Sequence, residues 1–363
     1  MTVREAMIVA GGRGTRLAPL TDACPKPLLP LVGVPFLTGQ ILRLAAAGVT
    51  RVSLVVGADT EPFEVVAPMV AAHGVEVVLV PEPRPLDTAG GVRSVIDRAS
   101  GPVLVCNGDI LTDVDFEALV AAHVAAGADA TLSLIRVQDP STFGVCVREG
   151  TQVVDFVEKP APGTLPGQDT VNAGTYVLEP AALLAFPEGS LSFERVVFPG
   201  ILADGGHIEG VVWDGVWADL GTPARYLRGH ELVLDGAMPW PGMDGLDDRG
   251  GGVRVHPGAF VAPSTRLHGP VVVGADARVE ADAEVGPHVV LGAGSRVEAS
   301  ARVRRSVLLD GACVGATTTV EDSILGRGAT LAAGLGPLAD VVVGDGVAVG
   351  ADDPVPAGSR IAA

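Results

Sequence analysis

Ten aliphatic residues recur at a spacing of six near the C-terminal end of this chain, and that period constrains its fold more than any other feature. Positions 255, 261, 267, 273, 279, 285, 291, 297, 303 and 309 read Val, Val, Leu, Val, Val, Val, Leu, Val, Val, Leu. Four residues after each comes a mostly small side chain: Ala259, Thr265, Val271, Ala277, Ala283, Val289, Ser295, Ala301, Val307 and Cys313. A period of six fits neither the 3.6-residue helical turn nor the two-residue alternation of a strand. It is the hexapeptide signature of a parallel β-helix. Three hexads make one triangular coil, with the aliphatic pointing inward at each corner and the small residue beside it. The strict repeat ends near Val314, and a looser echo runs through Val320, Leu325, Leu331, Val343 and Val349.

The first 235 or so residues have another rhythm. Short apolar runs at Ala6–Ala10, Val52–Val56, Val75–Val80, Val103–Asn107 and Ala130–Val137 alternate with Ala-rich helical stretches such as Phe36–Ala47 and Asp115–Ala126. That alternation predicts an α/β domain, Rossmann-like, with a mixed but mainly parallel sheet covered on both faces. Such sheets bind ligands at the carboxyl ends of their strands. Asp235–Gly252 is rich in Gly, Pro and Asp and reads as a linker. The expected division is 1–235 for the α/β domain, 236–252 for the linker and 253–363 for the β-helix.

A net charge of −18 argues against non-specific nucleic-acid binding, because a phosphate backbone demands a basic surface. No apolar stretch approaches the roughly 18 residues that a membrane span needs. The run Met7–Ala10 is too short for a signal-peptide core, so a cytoplasmic protein is expected. Cys24, Cys106, Cys146 and Cys313 form no CxxC pair and read as reduced thiols. Among the histidines, His256, His268 and His288 fall in the repeat and are expected to face solvent. Aromatics make up only 4% of the chain, so the cores must be built mainly from Val, Leu, Ile and Ala.

Of the 25 basic residues only two are lysines, Lys26 in Pro-Lys-Pro and Lys159 in Glu-Lys-Pro. Lysine is a compact point charge, whereas arginine is a planar fork, and a crowded phosphate site can accept one and reject the other. Each lysine is therefore a candidate phosphate contact. Ahead of Lys26 runs Val9-Ala-Gly-Gly-Arg-Gly-Thr-Arg-Leu17, a strand entering a glycine-rich loop whose backbone N–H groups can approach phosphates. It lacks the Gly-Lys-Ser/Thr ending of a Walker A loop. It also lacks the third glycine of GxGxxG, since Leu17 stands there.

Read as a string, Ala10-Gly-Gly-Arg-Gly-Thr-Arg-Leu17, Pro19-Leu-Thr21 and Pro25-Lys-Pro27 resemble the opening signature of the nucleotide-sugar pyrophosphorylases, or sugar-1-phosphate nucleotidyltransferases. The resemblance continues through Leu86-Asp-Thr-Ala-Gly-Gly91, Cys106-Asn-Gly-Asp109, Phe143-Gly144, Phe156-Val-Glu-Lys-Pro160 and Val171-Asn-Ala-Gly-Thr-Tyr176. It closes with Ser192-Phe-Glu-Arg195, Phe198-Pro199 and Trp217-Ala-Asp-Leu-Gly-Thr-Pro223. With the repeat added, the chain is most similar to mannose-1-phosphate guanylyltransferases, which carry a C-terminal left-handed β-helix.

The resemblance implies an enzyme in which the phosphate oxygen of a sugar 1-phosphate attacks the α-phosphorus of a nucleoside triphosphate in line and pyrophosphate leaves. The substrates implied are GTP and mannose 1-phosphate, and the cofactor is Mg²⁺. By resemblance, Arg16, Lys26 and Asp109 are catalytic. Ala10, Gly11, Gly12, Gly14, Thr15, Thr88, Ala89, Gly90 and Asn107 join Arg16 and Lys26 in binding the nucleotide. Gly144, Glu158, Lys159, Asn172 and Gly174 take the sugar phosphate, and Asp109 and Asp219 take the metal. Taken alone, Asp109 could be a turn residue, Asp219 could cap a helix near Thr222, and Asp113 and Asp115 resemble a second carboxylate cluster, with Asp115 read as an N-cap.

One departure stands out. The family pattern carries Gly where this chain has Asp87, which leaves glucose-1-phosphate thymidylyl- or uridylyltransferase as the nearest alternative. Hexapeptide β-helices also occur in acyltransferases, but here no long looped-out insertion interrupts the coils. A third alternative, a regulatory relative without catalysis, sits poorly with the retained Arg16, Lys26 and Asp109. The flat coils suit association with another copy, so a homo-oligomer is expected.

Overall fold

The strand Glu5–Val9 is buried along its middle and pairs in parallel on both sides, with Arg51–Val56 and with Val103–Asn107. Burial on both faces is why it reads as an unbroken apolar run. The computed structural model describes residues 3–161, 163–164 and 167–362. Met1, Thr2 and Ala363, at the ends of the expected domains, lie outside them. The full sheet has nine strands. Its order is Glu76–Pro81, Arg51–Val56, Glu5–Val9, Val103–Asn107, Thr170–Leu178, Ala130–Arg136, Ile208–Trp213, Gln152–Glu158, Gly144–Glu149. The first four are parallel, as the alternation of strands and helices predicts. Thr170–Leu178 enters antiparallel to both neighbours and makes the sheet mixed. Its register slips between Asn172 and Tyr176, around Gly174 at φ 76°.

Helices Phe36–Ala46 and Phe116–Ala126 lie where the sequence places them, and the Asp115 carboxylate caps the second by accepting from Ala118 N at 2.9 Å. The few aromatics are concentrated. Tyr176, Phe193 and Phe198 pack ring against ring at 5.1–5.4 Å in the core below the sheet.

The repeat folds into three parallel sheets in which every third strand pairs, as a triangular coil requires. Val255, Val273 and Leu291 are register partners on one face, and Val261, Val279 and Val297 on the next. The tenth position departs from the expected phase. Leu291 pairs with Leu308, not Leu309, and Leu308 fills the core. The coil has lost one residue, so Ala312 takes the small inward position and Cys313 turns outward. The looser echo through Val320, Leu325, Leu331, Val343 and Val349 is the same repeat with a second five-residue step, from Val320 to Leu325, and all five side chains line the core. Asp247–Asp248 pairs antiparallel on the first coil, which covers an otherwise open strand edge. Among the described residues, no helix is long and apolar enough to cross a membrane.

The chain packs as two units whose boundary differs from the expected one. One unit is the chain through Gly12 with Gln40–Trp217, and the other is Arg13–Gly39 with everything from Ala218 onward. The signature loop is therefore divided, with its part from Arg13 onward in the unit of the β-helix. Part of the expected linker is docked in that unit: Trp240 is buried, its indole N–H donates to Leu31 O at 2.7 Å, and its ring stacks on Phe36. Helix Pro223–Leu234 adds two more ties. Tyr226 donates to Pro30 O, and Val32 N donates to His230 Nδ1 at 3.4 Å.

Burial holds the pKa of His230 down at about 3. Above pH 6.5 the imidazole is neutral in both states. Below it, the unfolded chain takes up a proton that the folded chain refuses until about pH 3, so stability falls with falling pH across that window. The contribution is one proton, or about 1.4 kcal/mol per pH unit. His230→Gln should flatten the pH dependence of chemical unfolding between pH 6 and 4; an unchanged slope would remove this assignment.

Candidate active site

In the unit that carries the β-helix, the glycine-rich loop and Lys26 are built around each other. Gly14, at φ 62°, leads into the 3₁₀ turn Thr15–Leu17. A Cβ on Gly14 would lie 2.8 Å from Lys26 Cβ and 3.1 Å from Thr21 Cγ2, so both the backbone angle and the space require glycine. Thr21 Oγ1 donates to Gly14 O at 3.0 Å and closes the loop. Lys26 opens a second 3₁₀ turn, Lys26–Leu28. Its side chain is only 9% exposed, with Nζ 3.8 Å from Asp219 Oδ1.

Asp219 is itself held in place. Oδ1 accepts from Gly221 N at 2.8 Å and Oδ2 from Arg225 Nη1 at 2.5 Å. It does not cap the following helix, because Thr222 Oγ1 does so by accepting from Arg225 N. Arg16 reaches the same cluster: a Cβ on Gly221 would lie 2.7 Å from its Nη2. Lys26, Arg16 and Asp219 thus come together, and Arg225 joins them unannounced. Gly12, Thr15 and Arg16 are exposed on the loop.

The sheet unit carries the remaining groups. Val103–Asn107 ends beside Glu5–Val9, and Gly108 N donates to Val9 O at 2.8 Å. A Cβ on Gly108 would meet that same oxygen, so glycine lets Asp109 follow directly from the strand tip, half-buried. Gln40 Nε2 donates to Asn107 O at 2.9 Å, and Arg43 donates to Val114 O at 2.9 Å and also to Thr112 O. One helix face thereby grips both ends of the Asp109 segment. Asp113 accepts from Trp213 Nε1 at 2.5 Å and Val216 N at 2.7 Å, which makes it an anchor for that turn. Ala10 N donates to Val55 O, and Ala10 is buried.

The loop at Leu86–Gly91 has its polar groups turned toward the scaffold. Thr88 Oγ1 donates to Glu194 Oε2 at 2.8 Å and accepts from Phe193 N at 2.9 Å. Ala89 N and Gly90 N both donate to Leu191 O. These residues shape the loop more than they offer donors. Asp87 sits at φ 64°, where glycine is favoured, which explains the glycine of the family pattern. Its carboxylate instead pairs with Arg195 Nη2 at 2.5 Å.

Under this loop lies a group that sequence reasoning missed. Glu82 is buried between Gly11 and Gly91. A Cβ on Gly11 would lie 2.9 Å from Oε2, and one on Gly91 would collide with Oε1. Burial raises the Glu82 pKa, the Leu86 backbone hydrogen bond lowers it, and Asp87 raises it again. Oε1 has no protein partner among the described residues.

On the far strands, Lys159 sits at φ 47° with its ammonium 2.9 Å from Glu158 Oε1. It is 65% exposed, in contrast to Lys26. A Cβ on Gly144 would lie 2.9 Å from Glu158 Oε2, so that glycine keeps room for the acid. Asn172 Nδ2 donates to Tyr176 OH at 2.7 Å and Oδ1 accepts from Gly174 N at 3.0 Å. A Cβ on Gly174 would lie 2.7 Å from Asn107 Nδ2. Of the β-helix histidines, His268 is exposed, while His256 and His288 are half-buried and His288 Nε2 lies 2.7 Å from Asp235 Oδ1.

The family model described as nucleotidyl transferase matches residues 5–236. The chain belongs to the nucleotidyl transferase family. A second model, described as the GMPPB C-terminal domain, matches residues 267–360. The mannose-1-phosphate guanylyltransferase of Mycobacterium tuberculosis is 40% identical over 287 residues, 78% of this chain and 77% of that protein. The mannose-1-phosphate guanyltransferase of Schizosaccharomyces pombe is 33% identical over 335 residues, 90% of this chain and 87% of that one. The crystal structure of HddC from Yersinia pseudotuberculosis complexed with GMP-PN matches with a TM-score of 0.55 and 25% identity, over 64% of this chain and all of that one.

The packing of the nucleotidyltransferase loop yields a direct test. Gly14→Ala adds backbone strain of about 1–3 kcal/mol and pushes Lys26 aside. Activity should fall much further than the loss of stability accounts for, as measured by turnover and melting on the same preparation. A variant that melts lower but turns over normally would separate Gly14 from Lys26.

Proposed function

We propose that this chain transfers a guanylyl group from GTP to mannose 1-phosphate, giving GDP-mannose and pyrophosphate. Nucleotidyl transfer to a sugar phosphate follows from the family. The observation that carries the choice of base is Glu82, a buried carboxylate with an oxygen lacking a protein partner. An ionised carboxylate only accepts hydrogen bonds. Guanine offers it two adjacent donors, N1–H and the N2 amino group. Thymine and uracil offer one N–H flanked by carbonyl oxygens that a carboxylate repels, and adenine offers a ring acceptor. The names of the curated relatives support the same choice and supply mannose.

The reaction brings two anions together, so the protein's work is to position them and to balance charge. In this reading Arg16 and Lys26 meet the triphosphate, and Lys26 stabilises charge on the departing pyrophosphate. Asp219, gripped by Gly221 N and Arg225, keeps the Lys26 ammonium in place. Lys159 receives the phosphate of the sugar, and Glu158 and Asn172 orient its hydroxyls. The attacking oxygen is already a phosphate anion, so no general base is required.

Asp109 and Asp219 are the residues that would hold Mg²⁺. Among the described residues no group of three His, Cys, Asp or Glu side chains could hold a metal alone. Each is a hard oxygen donor of the kind Mg²⁺ takes, and that ion is commonly held by one or two carboxylates plus substrate phosphates. When bound, it would supply charge neutralisation between phosphate oxygens.

The test is pyrophosphate release across GTP, dTTP, UTP and ATP with mannose, glucose and N-acetylglucosamine 1-phosphates, run on the natural chain and on Glu82→Gln. The expected result is a dominant GTP and mannose-1-phosphate signal whose GTP preference collapses in the variant. A peak at dTTP or UTP would overturn the base assignment, and an unchanged preference in Glu82→Gln would overturn the role of Glu82.

A further inference from the structure

In the sheet unit, two neighbouring residues of one turn hold two neighbouring residues of another. Ser192 leads into the π-helical turn Phe193–Val197, and its hydroxyl accepts from Arg195 N at 3.3 Å. From that turn the Glu194 carboxylate accepts from the Thr88 and Ser192 hydroxyls, both at 2.8 Å. Arg195 reaches the residue before Thr88, with Nη2 2.5 Å from Asp87 Oδ2. Asp87 Oδ1 accepts from Thr88 N at 2.9 Å, so both oxygens of that carboxylate are engaged. The backbones run alongside: Leu191 N donates to Leu86 O, and Leu191 O receives Ala89 N and Gly90 N. The loop held in this way lies over Glu82, since a Cβ on Gly91 would collide with Oε1.

We propose that Arg195 is a positioning residue of the nucleotide site: by pairing with Asp87 it holds a left-handed backbone in place and so sets the loop over Glu82. This rests on Glu82 and the Leu86–Gly91 loop meeting the nucleotide base. A side chain at φ 64° is strained, and aspartate tolerates that angle through the bonds its carboxylate makes nearby. An exposed ion pair ordinarily contributes little, and the Arg195 side chain is 64% exposed. Here the pair fixes a backbone angle as well as two side chains. Without the arginine, the strain at Asp87 stays and one of the bonds that offset it is gone. Strain also sets this pair apart from an ordinary one: with glycine in place of Asp87, Arg195 becomes dispensable.

The test compares the natural chain with Arg195→Ala, Arg195→Lys and the double variant Asp87→Gly with Arg195→Ala, all in the full chain. Hydrogen exchange of the Leu86–Gly91 amides, read by mass spectrometry without nucleotide, reports the clamp itself. Arg195→Ala should exchange there about tenfold faster than the natural chain. It should also raise the KM for the preferred nucleotide about tenfold, with kcat and the KM for the sugar phosphate unchanged. Arg195→Lys should recover part of both, because it keeps the charge without the fork. The double variant should return close to the natural chain in both, because glycine takes the angle without strain. Natural exchange in Arg195→Ala would overturn the clamp, whichever nucleotide the enzyme prefers. Faster exchange with an unmoved KM for the nucleotide would overturn the link to the nucleotide site. A double variant no better than Arg195→Ala would overturn the role of the strained angle.

Discussion

The enclosed contact between Lys26 and Asp219 is the constraint on which the rest of the site depends. Only 9% of the Lys26 side chain is exposed, and its ammonium stands beside a carboxylate. Asp219 supplies the carboxylate, which Gly221 N and Arg225 hold in place. The ammonium and the carboxylate stand 3.8 Å apart. Gly14 gives the room, since any side chain there would occupy the place of the lysine stem.

Keeping this contact in place accounts for much of the architecture around it. The segment Arg13–Gly39 has little regular structure of its own: two 3₁₀ turns and a two-stranded ribbon, Pro30–Leu31 with Val34–Pro35, before helix Phe36–Ala46 begins. Its order comes from buried partners in the same unit. Tyr226 and Trp240 both satisfy carbonyls of the ribbon, His230 receives the N–H of Val32, and the β-helix touches Pro19. A flexible glycine-rich loop becomes a rigid holder because its backbone groups find partners that are themselves fixed. Preorganisation of this kind is what charge stabilisation in phosphoryl chemistry requires.

The parallel half of the sheet, its two long helices and the first nine corners of the β-helix were legible, because each rests on a period that nothing interrupts. The tenth corner was not. Val307-Leu308-Leu309 offers three aliphatics in a row, and only the shortened coil selects Leu308 over Leu309. Composition marked Asp235–Gly252 as a linker, and the overlooked signal was Trp240, too large an apolar group to leave in water. In the site, the scarcity of lysine singled out Lys26, which the structure encloses beside Asp219. Its link to Asp219 lies far along the chain, and Arg225 follows only once Asp219 is placed. Thr88 was legible as important but not in its manner of acting, since a hydroxyl that binds a nucleotide and one that ties down a loop look alike in sequence. Glu82 carried no signal at all: Pro81-Glu-Pro83 reads as a turn, and burial alone shows the carboxylate to be out of place.

The most direct test of this account is the single-turnover rate of Lys26→Arg with saturating nucleotide and sugar phosphate, alongside its melting temperature. The enclosure by Gly14 and Thr21 admits a thin stem and a point charge, and a guanidinium of the same charge should not fit. The account predicts a rate lower by about 10²–10³ with melting close to that of the natural chain. A near-normal rate would show that charge alone suffices at this position, and would contradict the claim that the loop is built around lysine.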